Sequence, residues 1–243
     1  MLAAQDFRQT LARVLRLAPR HPLMAANHDA FMTVDHDRPL EDCRFVVLDT
    51  ELTGLDVRRD EIVSIGAVRI EGMAIAAGES FYRLIQPKAG LPKASTLIHR
   101  ITPEQVKDRP RLRAVLPALI EFVDGCLIVG HHVGLDMGFL NRACRTVYGA
   151  PLANPCLDTM RMAQIYRAQQ WESSYDRYQG NVSFALPDLA AEFGLPRFPQ
   201  HNALADALQT AYLFLYLARK LSGGGVRTLR ELFEAGRSWR WYL

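Results

Sequence analysis

The sequence predicts an α/β fold: a mixed five-stranded sheet, three antiparallel strands and then two parallel ones, flanked by helices. Three observations point there. β-rich segments follow one another between residues 45 and 85 with short glycine-bearing connections, the mark of an antiparallel meander. Two short apolar segments then alternate with helical periodicity, and this βαβα order demands parallel strands covered by helices. A composition 49% hydrophobic and 23% charged over 243 residues is enough to bury the core of one such domain.

Residues 1–41 read as an N-terminal helical extension. Phe7, Leu11, Val14 and Leu15 recur at helical spacing among Arg8, Arg13 and Arg16 until Pro19 and Pro22 end the pattern. A helix docked on the main body fits this best, with a basic arm for nucleic acid or a partner as the alternative. The segment "NHDAFMTVDHD" gathers His28, Asp29, Asp35, His36 and Asp37, yet no regular spacing aims them at one point. It reads as a solvated loop and not as a metal site.

The main domain spans 42–221. Strands are expected over 45–51, 61–70 and 81–85. In "ITPEQV", Thr102 followed by Pro103 and Glu104 is a helix-start signature, and an apolar helix over 114–123 stops at Gly125. "CLIVG" is a short buried strand, followed by a helix over 136–147, a strand over 155–158 and a helix over 159–166. The polar stretch "QQWESSYDRYQGN" interleaves Trp171, Tyr175, Arg177 and Tyr178, as an insertion loop or a single-strand binding surface would. A short helix begins near Pro187 and is closed by Gly194, and a long one covers 203–221. Residues 222–243 form a C-terminal linker, "SGGG", and a short helix for which Thr228 and Glu231 supply a capping box.

The net charge of +3 is compatible with a polyanionic partner and equally with a small-molecule enzyme. Cys43, Cys126, Cys144 and Cys156 form no CxxC pair, which points to reduced thiols and away from structural zinc. No apolar run approaches the roughly 18 residues of a membrane span, and the N-terminus lacks the apolar core of a secretion signal. A soluble, cytoplasmic protein is expected.

Strand alternation sends Asp49 and Glu51 out of the same face of the first strand, with Thr50 pointing away. Two neighbouring carboxylates repel unless a cation neutralises them, and hard divalent ions are bound by carboxylate oxygens. A solvated strand end would carry the same pair. Asp136 falls where a strand passes into a helix, the place where α/β sheets collect ligands and also an ordinary helix-cap position. Asp206 lies in the first turns of the long helix, five residues after His201 in "HNALAD", so His201 belongs to the entering loop.

In this order, "LDTELTGLD", "VGHHVGLDMGFL" and "HNALAD" resemble the three motifs of the DEDDh family of 3′–5′ exonucleases, and are similar to the proofreading exonuclease domain of the DNA polymerase III epsilon subunit. The resemblance covers about residues 44–218. "STLIHRITPEQV" and "LDTMRMAQIYR" are similar to the family's linking segments. Two departures stand out: His132 where Asn is usual, and Arg100 where Gly is common.

The resemblance implies a ribonuclease H-like fold with an exonuclease domain over 42–221. It also implies two divalent metal ions, Mg²⁺ or Mn²⁺, held by Asp49, Glu51, Asp136 and Asp206, with His201 as general base. Thr50, Leu52, Thr53, Gly54, His99 and His132 would border the terminal nucleotide. The implied substrate is the 3′ end of single-stranded or frayed DNA, with nucleoside 5′-monophosphates as product. An RNA-trimming enzyme of the same chemistry, suggested by "ELTGL", and an inactive nucleic-acid-binding module are the alternatives. A DNA polymerase subunit is the implied protein partner.

Overall fold

The computed structural model describes residues 21–173, 183–223 and 225–236. Its centre is a five-stranded sheet in the order β3-β2-β1-β4-β5. The strands are β1 (Phe45–Leu52), β2 (Ile62–Glu71), β3 (Ala74–Leu84), β4 (Leu127–Gly130) and β5 (Cys156–Asp158). β1, β2 and β3 pair antiparallel, whereas β4 pairs parallel with β1 and β5 parallel with β4. The expected sheet is therefore present in strand number and direction, and its order is a finding of the structure.

Alternation along β1 divides the core in two. Val46 and Leu48 face a layer built on α4 (Leu112–Phe122) and α5 (Val133–Tyr148). Phe45 and Val47 face the long α8 (Ala203–Gly223), which also packs on α6 (Thr159–Ser173). Both layers are continuous apolar clusters, as a sheet covered on both faces requires. Among the described residues no helix is long and apolar enough to cross a membrane. All four cysteines are free thiols.

Several local expectations need correction. Residues 22–31 form a helix, α1 (Pro22–Phe31), where a connector and a solvated loop were expected. Met24 is fully buried in the core, Asn27 exchanges hydrogen bonds with Asn154 and the Ala153 amide at 2.8 Å, and His28 Nε2 lies 2.9 Å from the Pro151 carbonyl. Buried polar pairing, and not an apolar stripe, fixes this helix, so hydrophobic periodicity does not announce it. β3 starts seven residues before the expected strand because its first half is an exposed edge, poor in the β-branched residues that signal strands. α2 (Lys93–His99), followed by α3 (Pro103–Val106), occupies a stretch for which no first helix was expected. The helix expected over 159–166 continues to Ser173, into the polar stretch, and α8 extends over Ser222 and Gly223 of the expected linker. The two remaining helices, α7 (Leu186–Glu192) and α9 (Leu229–Gly236), match their expected places. The capping box is present: Glu231 Oε2 accepts from the Thr228 amide at 2.9 Å, and Thr228 Oγ1 from the Glu231 amide at 3.3 Å. The helix expected around Phe7–Leu15, and Tyr175, Arg177 and Tyr178, lie outside the described residues.

Candidate active site

Asp49 and Glu51 leave β1 on the side covered by α8, near the C-terminal end of the strand. Across the ladder the partner of Asp49 is Gly66, and a Cβ at Gly66 would stand 2.2 Å from the Ala203 carbonyl carbon and the Leu204 amide nitrogen. The missing side chain admits the first turn of α8 onto the sheet. That approach delivers Asp206. One oxygen each from Asp49, Glu51 and Asp206 lie within 4.8 Å of one another.

The loop entering α8 is tied to the same carboxylate. Asn202 caps the helix by accepting from the Ala205 amide at 3.1 Å, and Asp206 Oδ2 accepts from the Asn202 amide at 3.1 Å. The His201 amide also donates to Asp206. His201 itself is exposed and left-handed, with φ 61°.

Asp136 arrives from the other face, in the first turn of α5, and does not belong to the close trio. Thr50, which points away from Asp49 and Glu51, holds it: Thr50 Oγ1 donates to Asp136 Oδ1 at 2.5 Å. This tether was not legible from the sequence, where Thr50 stood only among residues bordering the nucleotide.

Electrostatics sets the character of the site. Burial, then the carboxylates of Asp136, Asp206 and Glu51, holds the Asp49 carboxyl well above the usual carboxylate range. Burial and the Asp206 and Asp136 charges push Glu51 up to about 8. Asp136 is pushed up to about 7 by burial, against the lowering effect of the Thr50 hydrogen bond. Burial also raises Asp206, against the Asn202 and His201 amides. Among the described residues no Lys or Arg forms an ion pair with any of the four. A recess of carboxylates without a side-chain counter-charge is chemically matched to hard divalent cations.

The other expected residues take the following places. Leu52 is half-buried against the α4 and α5 layer. Thr53 Oγ1 donates to Asp60 Oδ1 at 3.0 Å and accepts from the Glu61 amide at 2.9 Å, so its hydroxyl fixes the loop after β1. A Cβ at Gly54 would fall 2.5 Å from Asp60 Oδ2, which explains glycine there. His99 is buried, its Nδ1 accepts from the Ile101 amide at 3.1 Å, and its Nε2 has no partner. Burial, then the charge of His201, lowers its pKa. His132 is exposed and left-handed at φ 62°, with its amide donating to Asp158 Oδ1 at 3.1 Å. The preceding His131 bridges Thr159 Oγ1 and the Phe184 carbonyl, each at 2.9 Å. Arg100, at φ 59°, completes a set of three left-handed non-glycine residues in the site's motifs.

A mixed sheet with carboxylates crowded at the end of its first strand defines a nuclease-type hydrolase. The exonuclease family profile matches residues 46–214, and the chain belongs to that family. It is 32% identical over 182 residues to the DNA polymerase III subunit epsilon of Aquifex aeolicus, covering 75% of this chain and 84% of that protein. The DNA polymerase III subunit epsilon-like protein of Rhodobacter capsulatus is 34% identical over 84% of this chain and 28% of that protein. The PolC-type DNA polymerase III of Thermotoga petrophila is 31% identical over 82% of this chain, which spans only 14% of that protein's length. Among solved structures, E. coli Exonuclease I in complex with a dT13 oligonucleotide superposes with a TM-score of 0.65 at 18% identity, over 75% of this chain and 42% of that one. Exonuclease X in complex with 5′ overhanging duplex DNA gives 0.55 at 22%, over 79% and 99%. The shared fold is ribonuclease H-like.

Proposed function

We propose that the chain is a 3′–5′ exonuclease that removes nucleoside 5′-monophosphates from single-stranded or frayed DNA 3′ ends, in proofreading or repair beside a DNA polymerase subunit. The observation that carries this reading is the approach of Asp49, Glu51 and Asp206 to within 4.8 Å in a chain of the exonuclease family. Asp49, Glu51 and Asp206, with Asp136 from the other face of the sheet, would hold two Mg²⁺ or Mn²⁺ ions. When bound, the ions supply Lewis-acid charge to the water nucleophile and to the leaving 3′ oxygen.

His201 accepts the proton of the attacking water, the general-base role that an imidazole side chain most often fills. The water oxygen bonds to phosphorus, the bond to the 3′ oxygen of the penultimate nucleotide breaks, and that oxygen takes up a proton. Thr50 positions the Asp136 carboxylate and favours its ionised form against the effect of burial. Thr53 and Gly54 keep the backbone after β1 low enough for the terminal nucleotide to approach, with Leu52, His99 and His132 around it.

A digestion panel of matched DNA and RNA oligomers with single-stranded, paired and mispaired 3′ ends, with and without a chelator, tests this. Mononucleotide release from DNA ends, lost on chelation, is the expected result. Preference for RNA would favour the RNA-trimming alternative, and binding without cleavage the inactive module.

A further inference from the structure

Behind the loop that follows β1 lies a cleft of about 970 Å³, lined by Arg58, Arg59, Lys88, Arg111, Arg113 and Arg142 against the single carboxylate of Glu61. The local hydrogen bonds leave this charge uncancelled. Arg111 Nη1 donates to the Pro87 carbonyl at 2.6 Å, and Arg142 Nη2 to the Asp60 carbonyl; both contacts orient a guanidinium without neutralising it. Glu61 Oε2 is taken by the amides of Lys88 and Ala89 at 2.6 and 3.1 Å. Arg59 shares Asp56 at 3.6 Å, whereas Arg58, Lys88 and Arg113 are exposed with no carboxylate in ion-pair range among the described residues.

Helix α5 joins the cleft to the carboxylate recess. Gly138 of α5 admits the loop so closely that a Cβ there would lie 3.2 Å from Val57 Cγ2. The same helix carries Asp136 in its first turn and Arg142 six residues on, about 9 Å along its axis at 1.5 Å per residue. Six residues also turn about 240° around the helix, so Arg142 and Asp136 are separated by more than one phosphate spacing of a strand. No aromatic side chain lines the cleft, and Ile62, Ile85 and Leu116 form its floor. Single-strand sites that hold bases present aromatic platforms, so this surface suits phosphates and sugars and not bases.

We propose that this cleft is a second nucleic-acid contact, holding the phosphodiester backbone several nucleotides from the end being cut, independently of sequence. The proposal rests on the exonuclease reading above. It gives the chain a reason to act better on long strands than on short ones.

The test uses the full chain with Arg58, Lys88 and Arg113 replaced together by Gln. Binding to a labelled single strand of about 20 nucleotides and to a 3′-recessed duplex is followed by fluorescence anisotropy in chelator, from about 50 to 200 mM salt. Loss of three phosphate contacts predicts affinity at least about tenfold weaker at the low end, and a salt slope shallower by about 2 on the single strand. Dinucleotide hydrolysis in Mg²⁺ should stay within about twofold of the parent, because a dinucleotide does not reach the cleft and its turnover reports an intact fold. Weakening on both ligands assigns the cleft to the degraded strand, and weakening on the duplex alone assigns it to the complement; either supports the proposal. A variant that binds like an active parent overturns the cleft alone and leaves the surface to an acidic protein. A parent that neither binds nor cleaves overturns both this proposal and the exonuclease reading.

Discussion

Gly66 stands directly across the β1–β2 ladder from Asp49, and the volume its absent side chain leaves is filled by the backbone of Ala203 and Leu204. One hydrogen atom in place of a methyl group thereby sets the distance between the first strand and the helix that carries Asp206. Replacing Gly66 by Ala forces a methyl group onto main-chain atoms that no rotamer change can clear. The expected result is a stability loss of about 1–3 kcal/mol by denaturant titration. In the fraction that stays folded, kcat should also fall, since Asp206 is carried away from Asp49. Full activity in a folded Gly66→Ala protein would show that the helix approach is not needed.

Thr50 links the two faces of the sheet at the site through its bond to Asp136. Thr50→Val keeps shape and removes the donor, and loss of a hydrogen-bonded support of a ligand carboxylate typically costs 10- to 100-fold in metal affinity or activity. The bond lowers the Asp136 pKa. Its removal therefore shifts the acidic limb of the activity profile to higher pH, and Thr50→Ser should restore it. A profile identical in Val and Ser variants would leave Thr50 as packing only.

The carboxylate recess predicts an unusual stability profile in chelator. Glu51 at about 8 and Asp136 at about 7 lie above their ordinary values of 4.5 and 3.8, so the folded chain holds protons that the unfolded chain releases. Their contribution is complete below about pH 4 and is lost as pH rises through 7 to 8. Asp37 and Glu231, which are lowered, act in the opposite sense at acid pH but sit on the surface. Urea midpoints in chelator should fall between pH 5 and 8, recover with Mg²⁺, and lose much of that dependence in Glu51→Gln. A midpoint equally flat in parent and variant would contradict the crowding.

The first strand and its acidic pair are legible because alternation fixes which side chains share a face, and the parallel half of the sheet because βα order leaves little freedom. Less accessible are features that arise only in three dimensions. Gly66 is an ordinary strand glycine until α8 is laid upon it, although an isolated glycine in a strand is a recognised sign of close backbone approach. α2 lacks both usual signals: Pro92 gives no side-chain cap, and Arg100 stands where a closing glycine would. The basic cleft joins residues 58, 88, 113 and 142, which no linear pattern connects.

Arg100 ends α2 in the left-handed conformation, its amide donating to the Thr96 carbonyl at 2.8 Å. A side chain there costs roughly 1–2 kcal/mol relative to the permissive glycine. Arg100→Gly should stabilise the fold by about 0.5–1 kcal/mol after the extra unfolded-state entropy of glycine is counted. The denaturation midpoint reads this directly. A lower midpoint would show that the guanidinium makes a compensating contact.

His201 separates proton transfer from metal binding. It is exposed and not among the three side chains that approach within 4.8 Å, yet its amide is anchored on Asp206, one of the three. His201→Ala removes the imidazole while leaving that amide in place. Turnover should fall by about 10²- to 10⁴-fold, the range for loss of a positioned general base. The Mg²⁺ concentration for half-maximal residual activity, and Mg²⁺ binding by calorimetry, should hardly change. Asp206→Ala should instead abolish both, because it removes a ligand and releases the loop that presents His201. If Mg²⁺ affinity collapsed in the His201 variant as well, the imidazole would be a metal ligand, and the proton would have to leave by another route.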